Sequence, residues 1–187
     1  NHTCREIYSV SEICRLAIII GGGNLFRGSA IIKRLGVTNT VADSMGMLAT
    51  VQNAILLQDI LEEKFHLKTR VLSAIESRRV AEDWIRRKAI SHLNKGRICI
   101  FAGGTGNPRS STDAAIIPRA QEIKADIVLK GTKVDGVYDT DPEKNPDAKF
   151  IPQIGHDEYV RRKLKVVDTP AVEHAGADGI NIRVFNI

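Results

Sequence analysis

Short apolar runs alternate with longer stretches of helical periodicity along this chain. Runs of this length and composition are typical of strands buried on both faces, as in a parallel sheet covered by helices. They lie at residues 17–20, 70–74, 97–102, 126–130 and 182–186. The pattern predicts an α/β fold, a three-layer αβα sandwich with a mainly parallel central sheet.

Helical segments connect these predicted strands at residues 43–64, 81–93 and 113–123. A helix between two parallel strands completes a βαβ crossover. The apolar residues of the first segment fall on one face, formed by Met45, Leu48, Val51, Ile55 and Leu56. Ahead of the first strand, only residues 9–16 are expected to form a helix.

The length and net charge limit the classes of protein to which this chain can belong. The 187 residues suit a single domain spanning 1–187, and 43% of them are hydrophobic, as in ordinary soluble proteins. The apolar run at residues 16–20, as long as any in the chain, is far too short to span a bilayer. A net charge of +5 suits an anionic ligand, whereas an aromatic content of 5% argues against a surface that stacks nucleic-acid bases. We therefore expect neither a membrane nor a nucleic acid as partner.

The cysteines and histidines indicate no metal site. Cys4, Cys14 and Cys99 lack Cys-x-x-Cys spacing, which argues against a disulfide framework and against zinc. Cys99 lies in an apolar run and is interpreted as a core thiol of a protein in the reducing cytoplasm. No pair of histidines has His-x-x-x-His spacing, so no metal-ligating residue is predicted.

A first glycine-rich turn, residues 21–28, follows the first predicted strand. Glycine lets backbone N–H groups approach an anion closely, and Arg27 adds a positive charge. Phe26 stands where a dinucleotide fingerprint needs its third glycine, and Ser29-Ala30 stands where a Walker A loop needs Lys-Ser/Thr. The segment is therefore either a phosphate loop of another kind or a plain tight turn.

A second polar turn, residues 103–113, follows another predicted strand. It carries five side chains that can form hydrogen bonds: Thr105, Asn107, Ser110, Ser111 and Thr112. Helix capping alone would favour such residues ahead of Asp113. Their density at a strand end favours the alternative, in which they surround a polar ligand.

A third segment, residues 130–142, has acids at 135, 139 and 141 but lacks the glycine of an EF-hand calcium loop. It is either part of a ligand site or a hairpin with solvated charges.

Taken together, these blocks resemble the bacterial uridylate (UMP) kinases of the amino acid kinase superfamily. Ile-Gly-Gly-Gly-Asn-Leu-Phe-Arg-Gly occupies 20–28, Gly-Thr-Gly-Asn-Pro 104–108, Ser-Thr-Asp-Ala-Ala 111–115 and Lys-Val-Asp-Gly-Val-Tyr 133–138, followed by Asp141-Pro142. Ala-Asp-Ser-Met-Gly-Met-Leu-Ala-Thr at 42–50 separates UMP kinases from the acetylglutamate, aspartate and carbamate kinases. The resemblance covers residues 17–187 and implies the amino acid kinase fold.

The resemblance implies transfer of a phosphoryl group from ATP to UMP, giving ADP and UDP, in pyrimidine nucleotide biosynthesis. The residues that match the family's UMP contacts are Gly22, Asp43, Thr105, Gly106, Asn107, Pro108, Arg109, Ser110, Ser111 and Thr112. Those that match its ATP contacts are Gly23 and Arg27 at the phosphoryl groups, and Thr132, Tyr138 and Asp141 at adenine and ribose. Asp113 would organise lysines that neutralise the transferring group, and Mg²⁺ would arrive with ATP. Family members form hexamers that GTP activates and UTP inhibits.

The sequence departs from the family at both ends and in one loop. The Lys-Leu-Ser-Gly strand, which supplies a lysine for the transferring phosphoryl group, is not found in residues 1–16, and Lys130 and Lys133 are the remaining candidates. The chain stops at Ile187, before the family's last pair of strands, so we expect both ends of the domain to be incomplete. Arg109 stands where the family has an aromatic residue, and it either faces the UMP phosphate or is solvated.

Two alternative functions remain open from the sequence. One is another activity of the superfamily, with a carboxylate, carbamate or phosphate as acceptor. The other is a non-catalytic nucleotide-binding or storage protein on the same fold. The basic runs 86–88 and 161–163 are interpreted as solvated helix faces, with a regulatory nucleotide site between subunits as the alternative for the first.

Overall fold

The chain folds as two units, Asn1–Thr112 and Asp113–Ile187. A computed structural model describes residues 2–110 and 112–187, so the UMP contact predicted for Ser111 lies outside the described residues. Each unit has its own cluster of buried apolar side chains. The prediction of one domain over 1–187 remains a prediction.

The first unit is built on a four-stranded parallel sheet. Its strands are β1 (Ala17–Ile19), β2 (Thr69–Ser73), β3 (Glu82–Asp83) and β4 (Ile98–Ala102). Their order is β1-β4-β2-β3, and every neighbouring pair is parallel. All five residues of β4 are buried, as expected for a central strand with both faces covered. The predicted α/β class with a parallel sheet is confirmed.

Four helices accompany this sheet: α1 (His2–Ser11), α2 (Gly28–Leu35), α3 (Asn39–Phe65) and α4 (Arg86–Asn94). Helix α3 begins four residues before the prediction because Thr38 caps it, accepting a hydrogen bond from the N–H of Val41 at 3.4 Å. The prediction of a helix over residues 9–16 is wrong, since α1 ends at Ser11. Helix α2 was not predicted.

The predicted helix over residues 81–93 is also partly wrong. Glu82 and Asp83, near its predicted start, instead pair with the end of β2 as the short strand β3. The N–H of Trp84 extends this pairing by donating to the carbonyl of Ser73 at 2.8 Å. The helix therefore begins only at Arg86.

The buried face of α3 differs from the predicted one. Met45, Leu48 and Leu56 are exposed, whereas Val51 is buried. Small and polar residues cover most of the buried face instead: Ala42, Ala49, Thr50, Asn53 and Ala54. The buried face of α3 carries small residues rather than large ones because the glycine loops and strand ends that pack against it approach closely.

The second unit contains two small sheets and three helices. Its elements are α5 (Thr112–Ile123), β5 (Val128–Thr132), β6 (Val137–Tyr138), β7 (Phe150–Ile151), α6 (His156–Arg161), α7 (Thr169–Ala177) and β8 (Ile182–Asn186). Strands β5 and β8 pair in parallel, and β6 and β7 pair antiparallel. The β6–β7 pair makes the acidic segment a hairpin. Strand β5 lies two residues beyond the predicted 126–130.

The core of this second unit includes one buried tyrosine. The hydroxyl of Tyr159 donates to the carbonyl of Val167 at 2.9 Å and accepts from its N–H at 2.8 Å. The hydroxyl therefore has partners both as donor and as acceptor without water, and the ring packs among apolar neighbours.

Across both units, none of the described helices combines the length and apolar character that crossing a membrane requires.

Candidate functional site

Both glycine loops of the first unit leave neighbouring parallel strands. Residues 21–28 follow β1 and residues 103–110 follow β4, and these two strands are paired. Parallel neighbours end at the same edge of a sheet, where open α/β sheets bind their ligands. The two loops that the sequence singled out therefore emerge side by side.

The first loop rests on α3 through Gly22. A Cβ atom at this position would lie 2.8 Å from both the Cβ of Ala49 and the carbonyl oxygen of Gly46, closer than real side chains come. Gly22 is buried, whereas Gly23 next to it is exposed and has no atom within 4 Å of where its Cβ would lie. A loop of this form keeps one glycine for packing and leaves the next accessible to a ligand.

Arg27 lies at the end of the same loop and is exposed. It is the N-cap residue of α2, with an extended backbone and no capping hydrogen bond from its side chain. A guanidinium carries only hydrogen-bond donors, so it cannot cap the N–H groups of the helix. An arginine that precedes a helix N-terminus adds its charge to that of the helix dipole, which favours an anion there.

The second loop requires glycine at two positions. Gly103 and Gly106 have φ angles of +76° and +81°, and a Cβ at either would come within about 3 Å of the backbone of Ala74 or Ile75. The N–H of Gly106 donates to the carbonyl of Gly103 at 2.9 Å, and the N–H of Asn107 donates to Oγ1 of Thr105 at 3.2 Å. These bonds leave Asn107, Pro108, Arg109 and Ser110 exposed.

Asp43 joins the second loop to α3. Its Oδ2 accepts a hydrogen bond from the N–H of Arg109 at 2.8 Å, across 66 positions of sequence. Arg109 itself has a φ of +62°, a left-handed conformation that costs free energy in a non-glycine residue. The structure thus brings two predicted UMP contacts, Asp43 and the 103–110 loop, into direct contact.

In the second unit, Asp113 is paired with Lys130. Asp113 lies in the first turn of α5, and Lys130 lies on β5, with Nζ of the lysine donating to Oδ1 of the aspartate. Their side chains are 18% and 22% exposed, so the pair is largely shielded from water. A shielded lysine held by a carboxylate is suited to neutralising phosphoryl oxygens. Lys130 is one of the two lysines, with Lys133, that the sequence leaves as candidates for this role.

The three residues predicted at adenine and ribose each contact other side chains or backbone groups of the second unit: Thr132, Tyr138 and Asp141. Oγ1 of Thr132 donates to the carbonyl of Val134 at 2.7 Å and accepts from its N–H, and the ring of Tyr138 packs edge-on against Phe150 with centroids 5.4 Å apart. In the described part of the chain, no hydrogen bond or ion pair joins these three residues to one another.

Asp141 is held ionised within its own turn. Lys144 lies 3.1 Å from its carboxylate, and the N–H of Glu143 donates to it at 3.0 Å. The hydrogen bond from Lys144, and then that from Glu143, lower the pKa of Asp141 below its ordinary value.

Two polar residues that sequence analysis missed also contact the glycine loops. Thr50 and Asn53 lie on the buried face of α3, and each bonds to a backbone group of one loop. The signal that could have found them is a polar residue at a buried helical position.

Within residues 2–110 and 112–187, no group of three or more His, Cys, Asp or Glu side chains is arranged to hold a metal ion.

Residues 1–186 match the amino acid kinase family. Two proteins called uridylate kinase, from Xanthomonas campestris pv. campestris strains ATCC 33913 and 8004, are each 47% identical to this chain over 188 residues. In each case the match covers all of this chain and 78% of the relative.

Solved structures of related proteins support the same family. A UMP kinase from Bacillus anthracis has a TM-score of 0.95 at 36% identity, covering 99% of this chain and 76% of its own. A uridylate kinase from Archaeoglobus fulgidus has a TM-score of 0.72 at 26% identity, covering 98% and 81%. The resemblance inferred from the glycine loops and the 42–50 block is thereby confirmed, and the chain belongs to the amino acid kinase family.

Proposed function

We propose that this protein transfers the γ-phosphoryl group of ATP to UMP, giving ADP and UDP. The observation that carries the proposal is the closure of the 103–110 loop onto Asp43, which accepts the N–H of Arg109 at 2.8 Å. This contact unites the two sequence blocks that match the UMP contacts of UMP kinases. The uridylate kinases of X. campestris, at 47% identity, support the same substrate.

The UMP side of the reaction is assigned to the first unit. Gly22 would contribute backbone contacts and Asp43 would hold the uridine. The 103–110 loop, with Thr105, Gly106, Asn107, Pro108, Arg109 and Ser110, would surround base and phosphate together with Ser111 and Thr112. Glycine at 103 and 106 supports this role, because only glycine fits the left-handed turns that leave residues 107–110 exposed to a ligand.

The ATP side is assigned to Gly23, Arg27, Thr132, Tyr138 and Asp141. Gly23 is open to solvent and the charged side chain of Arg27 is exposed, which suits phosphoryl oxygens. Thr132 and Tyr138 would line the adenine and ribose. Asp141 would accept a ribose hydroxyl, a role suited to a carboxylate that stays ionised.

Phosphoryl transfer depends mainly on alignment and charge neutralisation rather than on covalent participation of the protein. The pair of Asp113 and Lys130 would supply part of the neutralising charge, with Asp113 orienting the lysine. Mg²⁺ would enter with ATP and be held by its phosphate oxygens, and the proposal assigns it no protein ligand.

We also propose that GTP and UTP regulate the protein, that it assembles as a hexamer and that it is located in the cytoplasm. A cavity of about 420 Å³ in the first unit supports a regulatory site, since Arg70, Arg78, Arg79 and Lys88 line it. Acids lie there too: Lys88 is 3.6 Å from Glu82, and Arg78 is 3.0 Å from Asp83. An anionic effector would have to replace these ion pairs.

The test is a coupled ADP-release assay with UMP, CMP or no acceptor. The proposal requires turnover that depends on UMP and exceeds that with CMP. The same assay on a chain preceded by a strand with Lys-Leu-Ser-Gly asks whether a further lysine is needed. Binding of UMP without turnover in both chains would instead indicate a nucleotide-binding or storage protein. Protection by a carboxylate acceptor rather than UMP would indicate another activity of the family.

A further inference from the structure

Asn53 on α3 holds the first glycine loop through its side-chain amide. Its Nδ2 donates to the carbonyl of Gly21 at 2.7 Å and to Oδ1 of Asn24 at 2.6 Å. Nδ2 of Asn24 donates back to Oδ1 of Asn53 at 3.2 Å, so the two amides form a reciprocal pair. Asn53 is 7% exposed, and its bonds lead to the loop rather than to solvent.

Thr50, one helical turn earlier, holds the second glycine loop. Its Oγ1 accepts a hydrogen bond from the N–H of Gly103 at 2.7 Å. The same hydroxyl donates to the carbonyl of Met47 at 2.7 Å, which fixes the direction of its lone pairs. Thr50 is 5% exposed, so the N–H of Gly103 has no water to replace this acceptor.

The two contacts lie on one face of one helix. Residues separated by three positions are neighbours on a helix surface, and the backbone of Gly22 packs against the same helix at Gly46, Ala49 and Thr50. Apolar side chains would bury the same area without fixing where the loop backbones lie along the helix. Directional bonds to Gly21 and Gly103 do fix it, because each bond has only a narrow range of favourable distances and angles.

We propose that Thr50 and Asn53 are positioning residues that set the register of the two glycine loops and thereby determine the affinity of the site for UMP. This inference rests on the proposed function for its ligand. Neither side chain touches substrate in this scheme. Each acts through the loop backbone that it holds, Asn53 on residues 21–24 and Thr50 on residues 103–106.

The experiment compares Thr50→Val, Asn53→Leu and Asn24→Ala with the unchanged protein. Thr50→Ser retains the hydroxyl and serves as the conservative rescue, and Gln52→Ala alters an exposed residue of the same helix as a matched control. Asn24→Ala removes half of the amide pair from an exposed position, so it tests Asn53 even if Asn53→Leu folds poorly. The Kd for UMP is measured by calorimetry at a temperature where every variant is folded, and amide exchange is followed by mass spectrometry.

Thr50→Val is expected to raise the Kd for UMP about tenfold and to speed exchange in residues 103–110, since it leaves a buried N–H without its acceptor. Asn53→Leu and Asn24→Ala are expected to speed exchange in residues 21–28. Thr50→Ser and Gln52→Ala should behave as the unchanged protein. A Kd for UMP that is unaltered in folded Thr50→Val and Asn24→Ala overturns the inference, as does a loop exchange rate that does not change. If the unchanged protein binds no UMP, the proposed function fails, and the exchange rates alone then decide whether the two residues set the loops.

Discussion

Nζ of Lys130 donates a hydrogen bond to the carboxylate of Asp113, and both side chains are largely shielded from water. The two residues come from different elements, β5 and the first turn of α5. A pair of this kind holds a cation at a fixed place, whereas a free lysine samples many rotamers. Removing either partner leaves the other charge shielded and uncompensated.

Lys130→Met is therefore expected to lower kcat for UMP phosphorylation about 100-fold or more, since loss of a preorganised charge weakens binding of the transition state most. The Kd for UMP should change little. Asp113→Asn should give a smaller loss, because the lysine keeps its charge and loses only its orientation. Lys165→Met, at an exposed position, is the control. Equal kcat values for Lys130→Met and Lys165→Met would contradict a role in transfer.

Asp43 is expected to act on UMP affinity through both its charge and the loop that it closes. Asp43→Ala removes the acceptor of the Arg109 N–H and should raise KM for UMP about tenfold. Asp43→Asn keeps an oxygen that can accept this bond, so the loop should stay closed while contact with the uridine weakens. Steady-state kinetics with UMP varied at saturating ATP separates the two variants. A KM for ATP that rises as much as the KM for UMP would argue against the assignment.

Gly22→Ala is expected to destabilise the protein by about 1–3 kcal/mol, because the new methyl group would overlap Ala49 and the carbonyl of Gly46. Gly23→Ala places the same group in open space and is the matched control. Gly46→Ala, inside α3 and equally open, should stabilise by about 0.5–1 kcal/mol through helix propensity. Urea unfolding of the three variants ranks their stabilities. Equal unfolding midpoints for Gly22→Ala and Gly23→Ala would show that the 21–28 loop is not packed on α3.

Cys99 is expected to make stability fall at alkaline pH. Burial raises the pKa of its thiol from 9.0 to about 12. The folded state therefore keeps a proton that the unfolded state loses, so the stabilisation is complete below pH 9 and is lost as pH rises from 9 towards 12. The slope attributable to this group reaches about 1.4 kcal/mol per pH unit. Between pH 8 and 11, the difference in unfolding free energy between the unchanged protein and Cys99→Ala should stay nearly constant below pH 9 and shrink as pH rises above it.

The sequence was sufficient for the parts of the fold that depend on continuous apolar runs. Strand β8 was predicted at its observed residues, and β4 within one residue, because buried parallel strands have little choice of composition. The helix predicted over 81–93 was placed too early because Glu82 and Asp83 carry no strand propensity. Their pairing is imposed by the neighbouring β2, which a local pattern does not contain.

The candidate site was predictable wherever glycine and polar residues cluster at a strand end. The buried face of α3 was not, since apolar periodicity places Met45 and Leu48 inwards. Helix α3 turns its small residues inwards because the loop backbone at Gly22 leaves no room for large ones. Thr50 and Asn53 were missed for the same reason, because they act through hydrogen bonds to residues 53 and 32 positions away, respectively.

The three cysteines differ sharply in exposure, since Cys4 and Cys99 are buried whereas Cys14 is exposed. Thiol reagents attack the thiolate, so burial and a raised pKa make Cys99 slow to react. Among these 187 residues, Cys14 is therefore the thiol most accessible to a maleimide dye or spin label. Because Cys14 lies three residues before β1, which leads directly into the 21–28 loop, such a label would lie close in sequence to the residues proposed to bind nucleotide and would test binding there.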